Sequence, residues 1–188
     1  MSTTHEIVLT PVTTKVRFYT SVDNGSYIPS HWHRAIEIIY IQTGALTVTV
    51  ESYTQKLTAG QCILINSNVV HSTQCTIPNT AIVFQIPLDF IETYIPQVRS
   101  LLFHLPEGSA DPKERTKLDI FKNTLEKMQI ANDMQPDGFL LRFNSLLFEV
   151  LFQLYHSFST KVMHSDFSKK KKELDRLNPV LQYTTEHY

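Results

Sequence analysis

The stretch Gly25-Ser26-Tyr27-Ile28-Pro29-Ser30-His31-Trp32-His33-Arg34-Ala35-Ile36-Glu37-Ile38-Ile39-Tyr40-Ile41-Gln42-Thr43-Gly44 sets two histidines and a glutamate between flanking glycines. In a strand, residues two apart point to the same face. His31, His33 and Glu37 share one parity, so a continuous strand would aim all three at one interior. Gly44 is expected to supply a turn between a strand ending near Gln42 and another starting near Ala45. Further on, Gly60 is followed eleven residues later by His71, which a neighbouring strand would carry into the same interior. Imidazole suits zinc, copper, iron and nickel, and a carboxylate adds manganese. His31, His33, Glu37 and His71 are therefore candidate ligands of one divalent first-row metal (Zn, Ni, Fe or Mn). Two other uses stay open: hydrogen-bonded structural residues, and metal-free recognition of a polar ligand.

Composition narrows the function classes. The chain has 188 residues, 42% of them hydrophobic, and a net charge of −1. That suits one large domain, or one domain with an appendage. The balanced charge provides no bulk attraction to nucleic acid or to a membrane surface. No apolar run approaches the ~20 residues of a membrane helix. The start, Met1-Ser2-Thr3-Thr4-His5-Glu6, lacks the basic and apolar regions of a signal peptide. Cys62 and Cys75 read as reduced thiols, and a cytoplasmic location is expected.

Short runs rich in Val, Ile, Thr and aromatics predict eight strands, near 6–9, 15–20, 35–42, 45–51, 54–58, 61–65, 70–76 and 80–86. They suit a jelly-roll β-barrel. After Pro87 the pattern turns helical. Leu88–Tyr94 can form a short helix stopped by Pro96. Asp111 followed by Pro112 and Glu114 is a helix start, with Leu118, Phe121, Leu125 and Met128 on one stripe. Gln135–Gly138 breaks it, and a second helix runs to about Phe158. Thirteen of the twenty residues from Phe139 to Phe158 are apolar or aromatic, so this helix must be covered on more than one side. An antiparallel pair of helices is expected, with Leu147, Leu151 and Leu154 at a homodimer interface. The domains expected are a barrel over 1–96, a helical subdomain over 97–164, and a linker with the start of a further domain over 165–188. Within that last part, Lys169–Lys172 read as a solvated linker.

The first stretch has the spacing Gly-x5-His-x-His-x3-Glu-x6-Gly, which resembles the first half of the cupin motif. The second resembles its other half, Gly-x5-Pro-x-Gly-x2-His-x3-Asn. Gly60 and His71 are kept, while Asn66, Asn68 and Cys75 stand where the pattern has Pro, Gly and Asn. The run His31-Trp32-His33…Glu37, the segment Leu57–His71, and Pro179–Tyr188 together resemble the N-terminal part of an AraC-type transcription regulator. On that resemblance, Pro179–Tyr188 leads toward a helix-turn-helix domain beyond the chain. The resemblance implies a barrel that binds a small effector (a sugar or another small polar metabolite), helices that dimerise it, and DNA contact only through that C-terminal domain. It implies a sensor and not an enzyme. The other reading is a metal-dependent cupin enzyme, a dioxygenase or isomerase, working through the His/His/Glu/His site.

Other residues have simpler expected uses. Ile39, Ile41 and Thr73 are expected to line the ligand cleft beside the histidines. Cys75, four residues after His71, reads as a buried small thiol. Trp32 lies between inward histidines and should point outward, under the helices or the N-terminal residues.

Overall fold

A computed structural model describes residues 3–161 of the chain. The expected segment 165–188, with its lysine run and the start of a further domain, lies outside the described residues. Two long strands organise the fold: β4 (Ala35–Val50) and β7 (His71–Pro87). They pair antiparallel along their whole lengths. Around the first half of β4 and the second half of β7 lie β2 (Arg17–Asp23), on β7, and β6 (Cys62–Ile65), on β4. The other halves carry β3 (Tyr27–Trp32), on β7, and β5 (Tyr53–Thr58), on β4. A two-residue strand, β1 (Thr4–His5), runs parallel to β3 at the edge. The result is one seven-stranded mixed sheet that curls on itself. Among the described residues no pairing joins β5 or β6 back to β1 or β2. The expected closed barrel is therefore a half-barrel.

Two sequence expectations merge here. The predicted strands 35–42 and 45–51 are one strand, as are 70–76 and 80–86. Gly44 is not a hairpin turn. It sits in a run of register shifts between Ile41 and Thr47, opposite Ile77–Thr80. Its φ is +74°, and a Cβ there would run into the Pro78 carbonyl oxygen. A bulge of this kind bends a strand and sharpens its twist. It also switches parity: Glu37, Ile39 and Ile41 share the inner surface with Leu46 and Val48. β3 has no counterpart among the expected strands, and Pro29 within it is unusual for a central strand. β3 is tolerated because it pairs through only part of its length, with a register break between Ile28 and His31.

The two faces of β4 are both covered, so Ala35–Ile41 is an unbroken buried run. The inner face packs Ile39, Ile41, Leu46, Val48, Leu57, Ile65, Cys75 and Ala81 into one apolar cluster. The outer face carries Ile36, Ile38 and Tyr40, which join Ile82, Phe84 and Ile86 in a second cluster with the helices. A short helix, α1 (Leu88–Glu92), leaves the sheet. The strand β8 (Leu101–Phe103) then precedes two long helices, α2 (Pro112–Met134) and α3 (Phe139–Ser157), and β9 (Ser159–Lys161) returns to pair with β8. Asp111 caps α2, its carboxylate accepting from the Lys113 amide at 2.9 Å. Leu118, Phe121, Leu125 and Met128 are all buried, as the stripe required. Phe121 meets Phe158, and Gln153 of α3 donates to Thr124 of α2. The Tyr40 hydroxyl donates to Glu126 at 2.8 Å and fastens the sheet to α2.

The expected interface leucines need correction. Leu147, Leu151 and Leu154 are 0%, 4% and 1% exposed within a single chain. They are core residues of the helix–sheet layer. The open apolar positions of α3 are Leu140, Leu141, Phe148, Phe152 and Tyr155, the last four forming one surface stripe at spacings of seven, four and three. The reason is the phase of the stripe: α3 is apolar over most of its circumference, and the sheet claims the leucine side.

Two denaturation measurements follow. Leu151→Ala should cost about 2–5 kcal/mol in urea unfolding, the range for a buried leucine. Gly44→Ala should cost at least the ~1–2 kcal/mol of a left-handed L-residue, with the clash at Pro78 added. A loss under half a kilocalorie at Gly44 would mean that the bulge relaxes freely.

Candidate metal centre

The four residues singled out by spacing converge. Their ligand atoms all lie within 4.8 Å of one another, and His33, Glu37 and His71 are buried. The route is not the continuous strand expected from parity. β3 ends at Trp32 and β4 begins at Ala35, so His33 lies in the link between them. His31 comes from β3, directly opposite His71 of β7. Glu37 comes from β4, directly opposite Gln85 of β7, which in turn faces Arg17 of β2. Cross-strand neighbours share a face. One row, Arg17–Gln85–Glu37, thus meets a second, His31–His71, across the open end of the curled sheet.

Each imidazole is oriented by a backbone carbonyl. Nδ1 of His31 lies 2.9 Å from Pro29 O, that of His33 3.0 Å from Ala35 O, and that of His71 2.9 Å from Val69 O. A carbonyl only accepts, so each Nδ1 must carry a proton. In the neutral ring this leaves Nε2 as a bare lone pair, the arrangement that a histidine ligand needs. Nε2 of His33 lies 2.6 Å from Glu37 Oε2, and Nε2 of His71 lies 3.2 Å from the same oxygen. Lone pairs facing a carboxylate at those distances repel unless a proton or a cation lies among them. The donor set therefore fits a divalent metal, held by three imidazole nitrogens and one carboxylate.

In the metal-free centre, protons take the place of that cation. Burial would raise the Glu37 pKa, but hydrogen bonds from His33 and His71 and their charges outweigh it and hold it far below the carboxylate range. Burial would lower His71, but its hydrogen bond to Glu37 and that charge outweigh it and raise its pKa above 6.5. Gln85 donates to Glu37 Oε2 at 3.2 Å.

Asn66 and Asn68 explain the altered second half-motif. Asn68 has φ +64°, the conformation a glycine would supply there, and asparagine is among the few side chains that tolerate it. Its amide donates to His33 O at 2.9 Å, which ties the His71 strand to the His33 link. The Asn66 side chain pairs with the backbone of Phe103 through bonds of 2.9 and 3.0 Å. A proline could make neither. Cys75 is buried and accepts from Asn79 at 3.3 Å, outside the ligand group.

Residues 18–86 match the cupin domain family. The matched stretch runs along the curled sheet from β2 to nearly the end of β7. No curated protein matches the chain. Among solved structures, an RmlC-like cupin from Shewanella frigidimarina is 25% identical over 41% of this chain and 72% of its own, with a TM-score of 0.37. The DMSP lyase DddQ from Ruegeria pomeroyi is 26% identical over 40% of each chain, with a TM-score of 0.37. KdgF from Halomonas sp. is 20% identical over 40% of this chain and 73% of its own, with a TM-score of 0.36. No helix of the described residues is long and apolar enough to cross a membrane.

The other expected site residues are placed as follows. Ile39 and Ile41, 2% and 0% exposed, sit in the inner apolar cluster, and Thr73 is buried on the His71 strand. Trp32 packs on His5, ring centroids 4.3 Å apart, and so meets the N-terminal residues as expected. Sequence reasoning missed Gln85, Arg17 and Glu6. Gln85 and Arg17 sit on predicted strands at inward parity, but polar residues with no partner at short spacing carry no signal.

The sign of the pH response follows. A raised His71 pKa stabilises the metal-free fold fully below 6.5. That contribution is lost as pH rises through the elevated value. Metal needs the same nitrogen bare, so its affinity climbs over the same interval. Thermal unfolding with chelator and with Zn2+ or Mn2+ should show opposite pH trends there. Parallel curves would separate His71 from metal binding.

Proposed function

We propose that the chain is the sensing and assembly module of an AraC-type transcription regulator, with a divalent metal at His31, His33, Glu37 and His71 that anchors a small polar effector. The observation that carries this reading is the presence, in one chain, of a complete donor set, three of its four residues buried, and an uncovered, mainly aromatic stripe on α3. The stripe comprises Leu141, Phe148, Phe152 and Tyr155, with Tyr94 packed on Phe148 at 4.9 Å. A second copy of the helix across a two-fold axis would cover the stripe. The contacts Phe121–Phe158 and Thr124–Gln153, later positions on one helix against earlier ones on the other, support the antiparallel pair. In a regulator this surface sets the separation of two DNA-binding domains.

The second reading is a metal-dependent cupin enzyme. It is favoured by the burial of His33, Glu37 and His71, because a water-poor polar site strengthens every charge interaction within it. The two readings part on what a bound small molecule does. A sensor changes its assembly and leaves the molecule intact; an enzyme consumes it.

Tag-free protein should carry close to one equivalent of transition metal, and His33→Ala with His71→Ala should abolish it. Sedimentation at tens of micromolar should show a dimer, dissociated by Phe148→Glu with Phe152→Glu while the melting temperature of the cupin domain holds. A metabolite screen should find a stabiliser, since a ligand at a hundred times its Kd adds about 2.7 kcal/mol. A monomeric parent protein that turns the stabiliser over would replace the sensor by the enzyme.

A further inference from the structure

Beside the four donors lies a second carboxylate that neither half-motif contains. Glu6 follows β1, and its amide donates to Trp32 O at 2.9 Å. Its carboxylate reaches over the open end of the sheet. Oε1 accepts from Arg17 at 3.0 Å, and Oε2 accepts from Gln85 at 3.4 Å and lies 3.5 Å from His31 Nε2. Gln85 is the same side chain whose Nε2 also donates to Glu37. Arg17 in turn donates to Gln85 Oε1 at 3.2 Å and lies over the Tyr19 ring, 5.0 Å from its centroid. One carboxylate thus spans a guanidinium, a buried amide and a candidate ligand nitrogen.

The backbone that bears that carboxylate has few ties of its own. Glu6 is half-buried, with side-chain exposure of 32% against 39% for Arg17. The segment bearing it is attached through a two-residue strand, the one amide bond to Trp32 O and the His5–Trp32 ring contact. Elements held by so few bonds open at low cost.

Charge bookkeeping then selects the chemistry of what replaces it. A divalent metal with Glu37 leaves one positive charge, and Arg17 adds a second. Glu6 cancels one of the two. A neutral sugar displacing Glu6 would leave the guanidinium and the metal charge uncompensated, whereas a monoanion restores the balance. We infer that Glu6 is an internal stand-in for the ligand, and that the site takes a small carboxylate whose anionic group replaces that of Glu6 against Arg17 and Gln85. This rests on the metal-assisted sensing reading above and narrows its effector from small polar metabolites to small carboxylates.

The protein carries its own reporter. Trp32 is the single tryptophan, and its ring partner His5 precedes Glu6. Displacing Glu6 should separate the pair and change Trp32 emission. The experiment titrates glycolate, with glycerol as the neutral probe of similar size, into metal-loaded protein, by calorimetry and by Trp32 emission. Glycolate should bind and shift the emission, while glycerol does neither at equal concentration. Glu6→Gln should bind glycolate on the order of tenfold more tightly, and Arg17→Met on the order of tenfold more weakly, the weight of one charged hydrogen bond. Glu6→Ala, checked by circular dichroism, serves if the glutamine variant folds poorly. Tighter binding from a changed local field alone would leave the wild-type emission still, so glycolate binding without an emission change overturns the inference. So does equal affinity in wild type and Glu6→Gln, or preference for glycerol. Metal analysis of the same samples separates the failures: a protein that never loads metal loses the underlying reading too, and one that loads metal but ignores glycolate loses this inference alone.

Discussion

One oxygen, Glu37 Oε2, gathers the interior end of this fold. It lies within hydrogen-bond reach of His33, His71 and Gln85, which arrive from a loop, from the start of β7 and from its end. Burying a carboxylate without partners is costly enough that the group would neutralise instead. Here the partners come from segments distant in sequence, so the ionised form is supported only when the sheet has curled fully. The carboxylate is therefore both a functional group and a condition of closure. Each imidazole has its Nδ1 occupied by a carbonyl, so the rings cannot turn to escape one another. That geometry suits a cation better than an empty centre. The stabilisation that protons supply in its place is tied to pH.

The curl depends on a second constraint, far from the histidines. β4 and β7 are each long enough to belong to both halves of the sheet, and they change halves at the bulge. Gly44 meets the Pro78–Asn79 backbone too closely for any side chain. Asn79 reinforces the bend, donating to Ala45 O and to Cys75 Sγ. Without the parity switch at this point, Leu46 and Val48 would face outward while Ile39 and Ile41 faced in. The inner apolar cluster would then lose a wall. The bend therefore decides which residues of β4 share an interior with Glu37.

Much of this was legible in the sequence. His31, His33, Glu37 and His71 were all found from spacing, because strand parity and glycine positions constrain a metal-type cluster tightly. The reason given for convergence was incomplete, since His33 sits beyond the end of β3. The buried stripe of α2 and its Asp111 cap were also readable, because helix periodicity and capping are local. The long strands were not: Gly44 looks like a chain reversal, and only its register opposite Ile77–Thr80 shows a bend. The leucines of α3 were placed on the wrong side for a related reason. Thirteen apolar residues in twenty show that two sides are covered but not which side meets the sheet. Asn68 shows the opposite case. Its letter departs from the expected glycine, yet its backbone adopts the conformation that the glycine would have supplied.

The segment from Asn66 to His71 connects the two parts of the molecule. Its side chain at Asn66 holds the backbone of Phe103, next to the helices. Its amide at Asn68 holds the carbonyl of His33. Its last residue is itself a candidate ligand. Lys122 of α2 adds a parallel tie, donating to the Gly60 carbonyl at 2.7 Å at the other end of β6. The segment is thus held at Asn66 by the Phe103 strand and at Asn68 by the His33 carbonyl. Hydrogen bonds and chain connectivity therefore run from His33 through Asn68 and Asn66 to Phe103, whose ring shares the apolar cluster of α2 and α3.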